Sequence, residues 1–98
     1  MKVNLNVPIK DFNGEPIIEK GKQVMMSEQV GVVLFRLGQD LNQEEMVTAY
    51  NIVKALQTNP NEIQLKSEDI TFLKEKMAKV FTVGCYGQLY DILEQNNQ

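Results

Sequence analysis

The side chains in this sequence that could do chemistry are few. Cys85 is the single cysteine, the chain has no histidine, and no basic residue lies within five positions of Cys85. A thiol becomes a nucleophile through a neighbouring base or cation, so Cys85 is expected to be a buried, inert thiol. The carboxylate pairs Glu44/Glu45 and Glu68/Asp69 have the residue types for general acid–base work. Both fall at the start of a predicted helix, where capping and the helix dipole account for them. The expectation is no catalysis, no metal and no cofactor.

Three loops imitate ligand motifs and fail on spacing. Gly14 to Gly21-Lys22 has six intervening residues where a phosphate loop has four, and Gln23 stands where a Ser or Thr would hold Mg²⁺. Turn glycines explain this stretch better. In Asp11-Phe12-Asn13-Gly14-Glu15 the glycine comes too early for a calcium loop, and Lys22 occupies the closing Glu position. Gly84-Cys85-Tyr86-Gly87 is a GxxG, a spacing that clamps nucleotide backbone in one class of RNA-binding domain. Its neighbours Phe81, Thr82, Val83 and Gln88 carry no positive charge, so small residues for close helix approach are the better reading.

The 98 residues carry ten Lys+Arg against thirteen Asp+Glu, a net charge of −3. Lys74, Lys76 and Lys79 form the densest cationic cluster, with Glu75 among them, and read as a solvated helix face. Nucleic-acid binding is therefore disfavoured. One cysteine excludes a disulfide scaffold. No apolar run approaches the ~20 residues of a membrane span, and Met1–Asn6 shows no signal region, so the expected place is the cytosol. Residues 1–98 are expected to form a single domain, with a β-hairpin over 1–20 and a helical part over 27–95.

The elements follow from periodicity. Val3, Leu5, Val7 and Ile9 alternate with polar positions and Pro8, predicting a half-buried edge strand over 2–10. Asn13-Gly14 predicts a tight turn and 15–19 a return strand. Ser27 is expected to cap a first helix to about Leu37, closed by Gly38, with Val30, Val33, Leu34 and Leu37 inward. Asn42 and Glu45 predict a capping box for a second helix to about Gln57, with Met46, Ala49, Tyr50, Val53 and Leu56 inward. Residues 62–65 alternate as a short strand. Ser67 is expected to cap a third helix with Ile70, Leu73, Met77, Val80 and Phe81 inward. Thr82 is expected to cap a fourth, with Val83, Tyr86, Leu89, Tyr90 and Leu93 inward. The tail 95–98 is expected to fray. The fold class is α+β: an N-terminal β-hairpin packed on a three- to four-helix bundle.

Some apolar area finds no place in these stripes. Val32 and Phe35 lie off the first helix's stripe, Phe72 lies off the third's, and Phe12 sits at the turn. With Arg36 they form the candidate interaction surface: Phe12, Val32, Phe35, Arg36 and Phe72. Met25 and Met26 are further candidates for an adaptable contact surface.

The order of parts carries a resemblance. Leu5-Asn6-Val7-Pro8-Ile9 runs into Asp11-Phe12-Asn13-Gly14-Glu15-Pro16-Ile17. Later come Leu65-Lys66-Ser67-Glu68-Asp69-Ile70 with Leu73-Lys74-Glu75-Lys76, then Val83-Gly84 and Gly87-Gln88-Leu89-Tyr90-Asp91-Ile92-Leu93-Glu94. This layout resembles small uncharacterised proteins of tailed bacteriophages and prophages, a group with no activity to carry over. The resemblance implies the bacterial host cytosol or a virion. It implies a non-catalytic accessory protein acting through self-association as a homo-oligomer and through partner binding in structure or assembly. The alternative is a host-directed inhibitor that binds a bacterial defence or regulatory protein or sequesters a small signalling molecule.

Overall fold

A computed structural model describes residues 1–95; the expected fraying of 96–98 lies outside the described residues. The elements in order are β1 (Lys2–Val3), β2 (Ile18–Glu19), β3 (Lys22–Gln23), α1 (Met26–Arg36), α2 (Gln43–Thr58), β4 (Ile63–Gln64), α3 (Ser67–Met77) and α4 (Val83–Gln95). The architecture is α+β, with an N-terminal hairpin and four helices.

The N-terminal segment keeps its alternation but forms little regular strand. Val3, Leu5 and Ile9 are buried and Val7 is half-buried. Only Lys2–Val3 joins a ladder, antiparallel to β4 rather than to the 15–19 return. Beyond it, the Leu5 amide donates to the Pro60 carbonyl at 3.0 Å, and the Met26 amide donates to Val7 at 2.8 Å. Three extended segments then meet in a ring of backbone bonds. Ile9 donates to Val24 (2.8 Å), Val24 to Ile17 (2.9 Å) and Ile17 to Ile9 (2.9 Å). The ring satisfies the polar backbone where no sheet runs through.

Two turns build this region. At the first, the Asp11 carboxylate accepts from the Asn13 and Glu15 amides, and Gly14 takes φ +81°. Asn13 does not turn left-handed as the Asn-Gly pair suggested. The loop is three residues long and needs a single positive φ. The second turn, Lys20-Gly21, has φ of 51° and 77° and joins β2 to β3. This second hairpin has only Gly21 as its sequence signal. Both glycines are turn glycines, as expected.

Helix boundaries match the periodicity, while several caps and faces differ. The Asn42–Glu45 capping box is present, with bonds of 2.9 and 3.1 Å. Thr82 Oγ1 accepts from the Cys85 amide at 3.3 Å. Ser27 does not cap α1; it lies inside the first turn and is buried, and the N-cap position is Met25. Ser67 does not cap α3 either. The N-cap position is Lys66, whose amide donates to the Asp69 carboxylate at 2.9 Å. Gly38 has no positive φ, and α1 ends at Leu37 in extended backbone.

The inward face of α2 is Ala49, Ile52, Val53 and Leu56; Met46 and Tyr50 face out. α3 buries Ile70, Phe72, Leu73 and Met77. It stops before Val80, which is exposed, and Phe81 is half-buried against the core. α4 buries Leu89 and Leu93, while Val83 is 92% exposed and Tyr90 42%. An ideal Cβ on Gly84 or Gly87 would meet nothing within 4 Å, so close helix approach does not explain the GxxG.

Leu5→Ala empties a fully buried site on the N-terminal segment and is expected to cost 2–5 kcal/mol, against about 1 kcal/mol for Asn42→Ala at the cap. The urea midpoints of the two variants check this ranking.

Candidate interaction surface

A groove of about 650 Å³ lies between α1 and α2. Its walls follow from how the two helices use their apolar positions. α1 buries Val30 and Leu34, which leaves Val32 (47% exposed) and Phe35 (66%) on its open side. Gly31 faces α2, and a Cβ there would stand in ordinary van der Waals contact with Leu56 Cδ1, at 3.7 Å. Val53 and Leu56 supply the α2 side, and Glu28 and Arg36 lie on the same groove. A smaller groove of about 280 Å³ lies alongside, lined by Leu41, Met46 and Tyr50 among others. Phe35 lines both grooves. Contiguous apolar exposure of this kind marks contact surfaces more than isolated exposed residues do.

The expected surface residues divide three ways. Val32, Phe35 and Arg36 come together on this groove. Phe12 is 94% exposed at the tip of its turn and lines neither groove. Phe72 is a correction: it is 7% exposed and belongs to the core. A helix whose stripe spans positions 70, 73 and 77 also covers 72 when packed on two sides. Met26 is likewise fully buried, and Met25 is half-buried. Sequence reasoning missed Met46, Val47 and Tyr50, which are 49–57% exposed on α2. The signal was Ile52, which completes an alternative stripe 49, 52, 53, 56.

The charged groups clamp helices rather than form a solvated patch. Lys74 pairs with Glu94 on α4 and sits 4.7 Å from the Tyr90 ring centre, and its backbone carbonyl accepts from the Tyr86 hydroxyl at 2.9 Å. Lys76 bonds Glu45 Oε2 at 3.0 Å, while Glu45 Oε1 accepts the Asn42 amide. The Asn42 amide and Lys76 hold the Glu45 carboxyl below its ordinary value. The Lys74 ammonium does the same for Glu94, and Glu94 in turn raises Lys74. Cys85 is half-buried, and burial raises its thiol pKa.

No helix among the described residues is long and apolar enough to cross a membrane. No protein-family model, curated protein or solved structure matches the chain.

Two outcomes are expected here. A carboxylate whose pKa is lower in the folded state stabilises the fold above its ordinary value, 4.5 for Glu. That contribution is lost as the pH falls through the folded value. Glu45→Gln and Glu94→Gln should each flatten the acid loss of stability seen by denaturation at a series of pH values; unchanged slopes would contradict the pairing. The Cys85 thiol should react with a thiol reagent more slowly in the folded chain than in denaturant at neutral pH, since burial suppresses the thiolate.

Proposed function

We propose that this chain is a non-catalytic protein-interaction module that acts by self-association and partner binding through the outer face of α1 and α2. One observation carries the reading. Val32, Phe35, Met46, Val47 and Tyr50 are all 47–66% exposed on two adjacent helices, and Phe35 borders two grooves at once. Leaving that much apolar area in water forgoes roughly 25 cal/mol per Å² that a covering surface would recover. Aromatic anchors flanked by concave apolar surface are the usual centres of protein contacts.

The setting in a phage or prophage, and the role in structure or assembly there, rest on the sequence resemblance. Protein contact rests on the α1–α2 face and stands without that setting.

Light scattering across a range of concentrations is expected to give a mass above the 11.2 kDa of one chain, falling on dilution. Phe35→Glu should disperse the assembly while circular dichroism stays that of the parent. A parent chain that is monomeric at every concentration overturns self-association. A Phe35→Glu variant that unfolds makes Phe35 part of the core.

A further inference from the structure

We infer that the occupant of the α1–α2 groove is a second copy of this chain, its α1 lying antiparallel across the first about a two-fold axis at Val32. The inference rests on the self-association reading and adds a register to it.

Glu28, Val32 and Arg36 are spaced four apart on α1 and line the same groove. Successive members lie about 6 Å apart along the axis and on one side of the helix. A two-fold axis at Val32 brings Glu28 opposite Arg36 of the second copy and Arg36 opposite its Glu28. One surface thus complements itself, as an isologous contact requires. A parallel arrangement would oppose Glu28 to Glu28 and Arg36 to Arg36.

Within the chain both charges are uncommitted. The ion pairs among the described residues are Lys2–Glu62, Lys74–Glu94 and Lys76–Glu45, and neither Glu28 nor Arg36 takes part. Both residues are exposed. An acidic or a basic partner would satisfy only one of them, whereas a second copy satisfies both. Gly31, beside Val32, lines the same groove.

Glu28 in the first turn and Arg36 in the last also suit the dipole of α1 itself. Charge reversal separates the two roles. The full chain would be compared as wild type, Glu28→Arg, Arg36→Glu and the double variant by sedimentation equilibrium at low salt. Each single reversal creates two like-charge contacts across the axis and is expected to weaken the dimer at least about tenfold. The double reversal restores both pairs and should return the dimer to within a few-fold of wild type, although it opposes the helix dipole. Added salt should weaken the wild-type dimer and relieve the single variants.

A double variant no better than the singles overturns the register. So do single variants that dimerise like wild type while Phe35→Glu still disperses them; that result leaves the groove as the contact and removes only the antiparallel pairing. A monomeric wild type overturns the self-association reading itself. Should the charge variants fail to fold, Val32→Cys in a Cys85→Ser background gives an independent readout. Mild oxidation should yield a cross-linked dimer through Cys at the axis, and a chain that stays uncross-linked overturns the proposal.

Discussion

Residues 1–10 bond to nearly every other part of the molecule. The Met1 carbonyl accepts from Leu65, β1 pairs with β4, Leu5 donates to Pro60, Val7 accepts from Met26, and Ile9 joins Ile17 and Val24. At the far end the Gln88 side chain on α4 both accepts from the Lys10 amide and donates to the Lys10 carbonyl, each at 2.8 Å. Every second side chain of this segment meanwhile enters the core. One extended stretch thus satisfies its backbone against several partners while its apolar side seals the helices beneath. The cost of a buried, unpaired backbone group makes this lacing obligatory once Val3, Leu5 and Ile9 are buried.

The helices are held to one another by different means. α1 and α2 pack through apolar side chains and close approach at Gly31. α3 ties to α4 through Lys74, Glu94 and the two tyrosines, and to the start of α2 through Lys76 and Glu45. The half-buried lysine stems pack while their ammonium groups find carboxylates. The ion-paired side therefore has its charges and aromatics satisfied internally. The α1–α2 side leaves Val32, Phe35 and Tyr50 exposed, and that asymmetry is why we propose it as the contact surface.

Much of the fold was legible in the sequence because local physics decides it. The alternation at 3, 5, 7 and 9, the Asn42–Glu45 box and the Thr82 cap each depend on residues a few positions apart. The faces of α2 and α4 were harder. Met46 and Tyr50 fit a legal stripe as well as Ile52 does, and only the direction from which β4 and α1 approach selects between them. Serines 27 and 67 have the right chemistry for caps, but the chain enters α1 two residues and α3 one residue earlier than a serine cap needs. Of the candidate surface, Val32, Phe35 and Arg36 were found because they lie off the stripe of a helix with one buried side. Phe72 failed by the same rule because α3 is covered more widely.

By itself, the sequence determined the four helices and their order, the alternation at the N-terminus, the two turn glycines and the poverty of catalytic side chains. These follow from periodicity, φ preference and residue chemistry, which act over a few positions. Only the tertiary structure decided that Lys2–Val3 pair with β4, leaving just the Ile9–Lys10 end to bond the return segment at Pro16–Ile17. Only it brought Gln88 to Lys10, 78 positions apart, and left Phe35 standing between two grooves. Those outcomes depend on which surfaces meet, and a stripe on one helix does not encode what arrives to cover it.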